Sequence, residues 1–125
     1  MILRFLRNCS IAVALFFVLS GVHARDEGHV ELISAKNLPS EARETLRLIY
    51  SGGPFPYTKD GAVFGNYEHY LPKKHRGYYR EYTVRTLGAR NRGAKRIIVG
   101  GEKNSQESIY YTDDHYATFK RINEQ

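Results

Sequence analysis

Residues 78–96 read YYREYTVRTLGARNRGAKR, which is typical of a β-strand, a glycine-rich hairpin loop and the start of a second strand. Because strand side chains alternate between the two faces of a sheet, Glu81 and Thr83 are expected to share one face. From Lys73 to Arg96 the chain carries nine Lys or Arg residues and one acid, Glu81. Such a lone carboxylate balances charge where it faces solvent and can act as a base where it lines a cleft.

A histidine follows near the C-terminus, His115 in the segment YYTDDHYATF. A Glu, an Arg and a His on one sheet can form a general base, an anion clamp and a general acid, although such residues are more often surface charges. Asp113, Asp114 and His115 can also be read as metal ligands. Adjacent side chains of an extended segment point apart, and no second His lies at ligand spacing, so no metal site is expected.

The first 24 residues have the pattern of a secretory signal peptide. Arg4 and Arg7 precede the unbroken apolar run Ile11–Leu19, and the small-residue site Val22-His23-Ala24 follows. The apolar run is too short to span a membrane, and it lacks the amphipathic period of a core helix. The sequence therefore predicts export, with cleavage near Ala24-Arg25 and no membrane segment in the mature form.

The remaining 101 residues are enough for one small domain. The only cysteine, Cys9, lies in the predicted signal peptide, so no disulfide is expected in residues 25–125. Residues 25–125 carry 17 Lys and Arg and 13 Asp and Glu, a net charge of +4, with the excess in the part that begins at His69. A basic, tyrosine-rich half favours binding to a polyanion such as nucleic acid; a solvated basic face is the simpler alternative.

Residues 25–37 are polar and mixed, and a flexible N-terminal arm is predicted there, followed by a domain over residues 38–125. The segment Leu38-Pro39-Ser40-Glu41 is typical of a helix start, and Gly52-Gly53 is typical of its end. Ala42, Leu46, Ile49 and Tyr50 recur at helical spacing and predict an amphipathic helix.

Several extended segments follow at hairpin spacing. They are residues 62–64, 78–86, 95–99, 108–112 and 118–122. One helix followed by consecutive strands predicts an α+β domain in which the helix packs on an antiparallel sheet.

Six segments together resemble the microbial guanyl-specific ribonucleases, the family that contains barnase. They are LPSEARETLRLI, GGPFPYTKDGAVFGN.E, LP, GYYREYTV, G.R.RG.KRII.G and YYTDDHYATF, in this order between Leu38 and Ile122. The resemblance implies an N-terminal helix on a twisted antiparallel sheet, in agreement with the pattern of the elements. It also implies a metal-independent reaction with no cofactor.

The resemblance assigns a role to each matching position. Glu81 corresponds to the general base, His115 to the general acid and Arg96 to the arginine that contacts the scissile phosphate. Phosphate or substrate binding is implied for Arg92, Lys95 and Tyr116. The guanine-binding loop corresponds to Phe64, Gly65, Asn66, Tyr67 and Glu68, in which Glu68 is the base-reading carboxylate.

The loop departs from the family pattern at two positions. Where close relatives commonly read F-Q-N-R-E, this chain has Gly65 and Tyr67 in place of Gln and Arg. Contacts from the loop backbone remain available to guanine, whereas both polar side chains are lost. Lys95 stands where many members have Arg, which keeps the charge and loses the planar fork.

The sequence therefore predicts a secreted endoribonuclease that cleaves single-stranded RNA 3′ of guanosine through a 2′,3′-cyclic phosphate. A non-catalytic secreted basic module that binds nucleic acid is the alternative, and a toxin with the same activity is compatible with the same residues. The expected partners are single-stranded RNA and, by resemblance, a small acidic barstar-like inhibitor, and the chain is expected to be a monomer.

Overall fold

A computed structural model describes residues 30–124 of the chain. Its strands are β1 (Glu31–Ser34), β2 (Ala62–Val63), β3 (Tyr79–Thr83), β4 (Arg96–Gly100), β5 (Ser108–Thr112) and β6 (Lys120–Asn123), and its helix is α1 (Ser40–Ser51). Single 3-10 turns occupy Ala35–Asn37 and Glu102–Asn104. The six strands form one sheet in the order β1-β6-β5-β4-β3-β2. Neighbouring strands are antiparallel except β1 and β6, which are parallel, so the predicted α+β fold is confirmed.

The helix begins and ends where the sequence predicts. Pro39 precedes its first turn, and Glu41 lies in that turn near the positive end of the helix dipole. Gly52 adopts a left-handed conformation with φ of 80°, and the N–H groups of Gly52 and Gly53 donate to the last helical carbonyls. The buried face contains Ala42, Thr45, Leu46 and Ile49. Tyr50, which was also predicted on this face, is 47% exposed.

The two faces of the sheet support two different cores, as the alternation along β4 shows. Ile97 and Val99 pack against the helix. Ile98, between them, belongs to a second apolar cluster on the opposite face. The other buried members of this aromatic cluster are Leu71, Tyr78, Tyr79, Tyr110 and Phe119. The second face is therefore free of the helix and is lined by tyrosines.

The N-terminal arm differs from its predicted state. Residues 25–29 lie outside the described part of the chain, but Glu31–Ser34 is strand β1, paired in parallel with β6. Ile33 lies opposite Ile122 in this register and packs against the helix-side core. Buried apolar contact and ladder hydrogen bonds together order a segment whose polar composition had suggested a flexible arm.

Strand β3 ends at Thr83 rather than at the predicted residue 86, because the chain turns into the loop that carries Arg92. The predicted signal peptide, residues 1–24, lies outside the described residues. Within residues 30–124, no helix is long and apolar enough to cross a membrane.

Candidate active site

A cavity of about 530 Å³ opens on the face of the sheet that the helix leaves free. It is lined by Val63, Phe64, Gly65, Tyr67, Glu68, Tyr70, Glu81, His115, Tyr116 and Ala117. Seven of these ten residues were predicted as site residues from the sequence. The cavity therefore brings the candidate base, the candidate acid and the candidate guanine loop to one place.

The carboxylate of Glu81 projects from the middle of β3, and two side chains donate to it. Arg92 Nη2 donates to Oε1 at 3.2 Å, and the Tyr116 hydroxyl donates to Oε2 at 2.8 Å. The Glu81 side chain is only 13% exposed. The carboxylate is thus fixed in direction and compensated in charge without being removed from the cavity.

Arg92 reaches Glu81 because a buried threonine holds its guanidinium. Its Nε and Nη2 donate to Thr83 Oγ1 at 3.0 and 2.8 Å. Thr83 lies on the same face of β3 as Glu81, two residues further along.

Arg96 is the buried cation of the site, at 3% exposure. Its Nη1 donates to the backbone carbonyls of Gly93 and Lys95 at 2.9 and 2.8 Å, and to that of Arg92 at 3.4 Å. Its Nε is buried and has no hydrogen-bond partner among residues 30–124. Its Cζ lies 6.0 Å from the ring centre of Tyr116. A buried guanidinium with an unused donor beside the cavity is suited to bind an anion.

His115 and Tyr116 lie in a tight turn after β5, where both adopt left-handed backbone conformations with φ of 54° and 71°. Such conformations cost energy in non-glycine residues and persist where the surroundings fix them. The N–H of His115 donates to the carbonyl of Ala94 at 3.0 Å, and the N–H of Tyr116 donates to Thr112 Oγ1 at 3.2 Å. This turn leaves the His115 ring exposed at the wall of the cavity.

Burial raises the pKa of the Tyr116 phenol, and the neighbouring Glu81 carboxylate raises it further. The phenol therefore stays protonated at neutral pH and remains a hydrogen-bond donor to Glu81. Its ring stacks on Phe64 with centroids 5.0 Å apart and an angle of 25° between planes.

The loop that follows β2 forms the other end of the cavity. Asn66 is buried in a left-handed conformation with φ of 51°. Its side chain is used within the loop, since Nδ2 donates to the carbonyl of Leu71 at 2.9 Å and Oδ1 accepts from the N–H of Leu71 at 3.1 Å. Within residues 30–124, the backbone N–H groups of Tyr67 and Glu68 donate no hydrogen bond. Asn66 therefore closes the loop, and the N–H groups of Tyr67 and Glu68, two residues that line the cavity, are left available.

Lys95, which was predicted to bind phosphate or substrate, is not among the residues that line the cavity. It precedes Arg96, so alternation turns its side chain toward the helix side of the sheet. There it acts on Glu41, whose pKa is lowered first by a backbone hydrogen bond and further by the charges of Lys95 and Arg85. Its predicted role at the phosphate stays a prediction, and the structure places its charge near the start of the helix.

A family model described as ribonuclease matches residues 22–123. The chain belongs to the ribonuclease family. The family resemblance predicted from the sequence is thereby confirmed.

Individual relatives of the ribonuclease family are similar to this chain over most of their length. Guanyl-specific ribonuclease Sa of Kitasatospora aureofaciens is 59% identical over 87 residues, which are 70% of this chain and 88% of the relative. Guanyl-specific ribonuclease St of Saccharopolyspora erythraea is 45% identical over 97 residues, which are 76% and 90%. A crystal structure of ribonuclease Sa2 with guanosine-2′-cyclophosphate superposes with a TM-score of 0.70 at 45% identity, covering 77% of this chain and 98% of that one.

Three supporting residues of the site were not predicted from the sequence. The strand register places Thr83 opposite Arg96 and Arg96 opposite Thr112, so buried polar residues form a row across three strands. Thr112 Oγ1 donates to Asp114 Oδ1 at 2.8 Å, and Asp114 accepts in turn from the N–H and hydroxyl of Thr118. Thr83, Arg96 and Thr112 are far apart in the sequence, so only the strand register reveals that they form a row.

Proposed function

We propose that this ribonuclease-family chain cleaves single-stranded RNA on the 3′ side of guanosine by transphosphorylation, through a 2′,3′-cyclic phosphate. One observation carries the proposal: Glu81 and His115 line the same cavity as the loop residues Phe64 and Glu68. Two relatives named guanyl-specific ribonucleases, and the ribonuclease Sa2 structure with guanosine-2′-cyclophosphate, support the same activity.

In the first step the Glu81 carboxylate takes the proton of the ribose 2′-OH. The O2′ atom then attacks the adjacent phosphorus, and the bond from phosphorus to O5′ of the next nucleotide breaks. The protonated imidazole of His115 gives its proton to that leaving O5′. General acid–base catalysis of this kind contributes typically about 10²–10⁴-fold. In the second step the roles reverse, and water opens the cyclic phosphate to a 3′-phosphate.

The transition state places additional negative charge on the non-bridging oxygens of the phosphate. The guanidinium of Arg92 and the Tyr116 phenol both contact the Glu81 carboxylate, and Arg96, whose Nε has no partner among residues 30–124, lies against the Tyr116 ring. Preorganised donors of this kind usually supply the largest part of the stabilisation. RNA supplies the nucleophile and these side chains supply the base, the acid and the cations, so the proposed reaction needs no metal.

Base choice is assigned to Glu68 and the loop backbone. Guanine alone presents N1–H and N2–H₂ as neighbouring donors, and an ionised carboxylate can accept both. The free N–H groups of Tyr67 and Glu68 can donate to O6. Hydrogen bonds to a charged group are worth about 1.5–3 kcal/mol each, which is enough for strong discrimination against adenine. The lost Gln and Arg side chains are not required for this pairing.

Three further expectations belong to this proposal. The precursor is exported and cleaved near Ala24-Arg25, the mature form acts as a monomer, and the basic surface around the cavity accepts a small acidic inhibitor protein. Intact-mass analysis of the culture supernatant tests the first, and a retained signal peptide contradicts it. No observation favours the alternative, a non-catalytic module that binds nucleic acid. Such a module has no need of a Glu and a His in one cavity.

An RNA digest with end mapping tests the activity directly. Run in excess chelator, it is expected to give fragments that end in guanosine 2′,3′-cyclic phosphate and then in the 3′-phosphate. GpA should be cleaved much faster than ApA, and Glu68→Ala should remove most of this preference while slow cleavage continues. Equal cleavage of GpA and ApA by the wild-type chain contradicts guanine recognition, and complete loss of activity in chelator contradicts the metal-free mechanism.

A further inference from the structure

The side chain of Tyr67 takes no part in the proposed pairing of guanine with Glu68 and the loop backbone. Its position is nevertheless defined by contacts with its neighbours. It is 77% exposed, and its ring lies directly over Gly65. A Cβ atom at position 65 would lie 2.4 Å from Tyr67 Cζ and 2.5 Å from Cε2. The ring therefore occupies the space that any side chain at position 65 would need. The two departures of the loop from the family pattern thus explain each other, because Gly65 makes room for the ring of Tyr67.

A second contact fixes the outer end of the ring. Arg76 Nη1 donates to the Tyr67 hydroxyl at 3.2 Å, which ties the loop to the basic segment that begins at Lys73. Tyr70, 51% exposed, lines the same cavity rim. Exposed aromatic rings beside cationic side chains are the means by which proteins bind single-stranded RNA, since bases stack on the rings and phosphates meet the cations.

The sheet shows at which end of the substrate this ring lies. At one end of β3, Thr83 pairs with Arg96, and the anion-binding arginines gather there. At the other end Tyr79 pairs with Gly100, and the carbonyl of Tyr79 accepts from the N–H of Phe64. In the proposed function, the scissile 3′-phosphate binds at the first end and the guanine at the second.

Arg76 belongs to the second end as well. Its neighbour His75 forms an ion pair at 2.7 Å with Glu102, which lies two residues after Gly100. RNA on the 3′ side of the guanosine continues from the phosphate end. The opposite end, with Tyr67 and Arg76, is left for RNA on the 5′ side.

We propose that the Tyr67 ring and the Arg76 guanidinium form a subsite for the nucleotide on the 5′ side of the guanosine. The base of that nucleotide stacks on the Tyr67 ring, and Arg76 contacts the phosphate that joins it to the guanosine. The subsite rests on the proposed function, because the guanosine in the cavity sets its position. It gives the enzyme a preference for internal guanosines over 5′-terminal ones.

Binding of uncleavable oligonucleotides tests the subsite apart from catalysis. The probes are dGpA, pdGpA and ApdGpA, whose deoxyguanosine lacks the 2′-OH nucleophile. Dissociation constants are measured by calorimetry. The wild-type chain should bind ApdGpA roughly tenfold more tightly than pdGpA, the expected scale of one stacked base. Tyr67→Ala should remove this ratio and Tyr67→Phe should keep it, because stacking needs the ring and not the hydroxyl. Arg76→Ala should reduce the preference for pdGpA over dGpA.

A double-mutant cycle tests the link to Gly65. Gly65→Ala displaces the ring. It should therefore reduce the ratio of the pdGpA and ApdGpA dissociation constants in the wild-type background and leave this ratio unaltered in the Tyr67→Ala background. Tyr50→Ala, at another exposed tyrosine on the helix side, is the matched control and should keep the ratio. Equal affinities of wild type for ApdGpA and pdGpA overturn the subsite. So does a Tyr67→Ala variant that keeps the ratio. Cleavage of GpA by the wild-type chain reports the proposed function separately, since that substrate has no 5′ nucleotide.

Discussion

The hydrogen bonds of Glu81 fix the orientation of the proposed general base. Both carboxylate oxygens already accept a hydrogen bond, one from Arg92 and one from Tyr116. These bonds hold the carboxylate toward the cavity, as a base requires. In the proposed mechanism the same two donors also bind the phosphate. The proton acceptor and the anion stabilisers are thus one connected group.

Removing the proposed base or acid should abolish most activity without unfolding the chain. Glu81→Gln and His115→Gln should each lower kcat/KM on GpA on the order of 10²-fold or more, because each removes one proton transfer. Wild-type kcat/KM should fall at both acidic and alkaline pH, since the carboxylate must be ionised and the imidazole protonated. The exposed pair His75 and Glu102 offers matched controls, and His75→Gln and Glu102→Gln should retain activity on this dinucleotide. Full activity in either cavity variant would rule out the mechanism.

Among single residues, prediction from the sequence worked best for those that lie in a recognisable local sequence pattern. Glu81 and His115 stand in short segments, EYTV and DHY, that match the family pattern, and the resemblance rather than the residue types assigned their roles. Thr83 and Thr112 leave no such pattern, because their importance arises from facing Arg96 across the sheet. Lys95 lies beside Arg96 in the sequence, but alternation along the strand turns its side chain toward the opposite face of the sheet.

The turn between β5 and β6 carries the proposed general acid, so the proposed activity depends directly on its shape. It holds His115 and Tyr116 in left-handed conformations through Thr112 and Asp114. The Thr118 hydroxyl lowers the pKa of the Asp114 carboxyl, and the N–H of Thr118 lowers it further. The ionised form of Asp114 therefore stabilises the turn.

Asp114→Asn should weaken this turn in a pH-dependent way. The folded-state pKa of Asp114 is depressed, so its stabilisation is present above the unfolded value of about 3.9 and is lost as pH falls through the folded value. The variant should lose about 1 kcal/mol of unfolding free energy at pH 7, since the carboxylate is exposed and only its hydrogen bonds are weakened. The loss should vanish below the folded pKa. Urea denaturation at a series of pH values from 7 into the acid range measures the loss, and a loss that does not shrink as the pH falls below about 3.9 would contradict the assignment.

The opposite faces of β4 should separate stability from activity. Ile97 and Ile98 are both fully buried, one against the helix and the other in the aromatic cluster behind Phe64 and Tyr116. Either residue changed to Ala should cost about 2–5 kcal/mol of unfolding free energy. Only Ile98→Ala should also raise KM for GpA under conditions where both variants are folded, because it loosens the cluster under the cavity. Equal KM values would show that the cluster does not support substrate binding.

Element prediction succeeded for the helix and the antiparallel strands because their patterns are local. The helix start at Pro39, its glycine end and the segment 108–112 all match the structure. Strand β1 could not be predicted in the same way. Its four residues show little alternation, and it is ordered by parallel pairing with β6, almost ninety residues away along the chain.

For the whole molecule, the distribution of charge matters more than its total. The formal net charge is +6, and most of the excess lies in the part that begins at His69. The helix side carries acids such as Glu41 and Glu44 as well as bases. The cavity side carries the arginines of the site and, beyond the guanine loop, the exposed Lys73 and Lys74. A long RNA chain that crosses the cavity side therefore meets the positive charge of the site arginines and of Lys73 and Lys74.

This asymmetry predicts a salt dependence that grows with substrate length. Each phosphate that the protein neutralises should add about 0.7 to the slope of log K against log salt for a single strand. Cleavage of long RNA under kcat/KM conditions should weaken steeply with salt, and cleavage of GpA should weaken little. Lys73→Glu with Lys74→Glu should raise KM for the polymer far more than for GpA, and should lower the polymer slope. Lys36→Glu with Arg43→Glu makes the same change in net charge on exposed positions away from the cavity, and should leave the slope near the wild-type value. If both double variants reduced the slope alike, net charge rather than a basic face would attract the RNA.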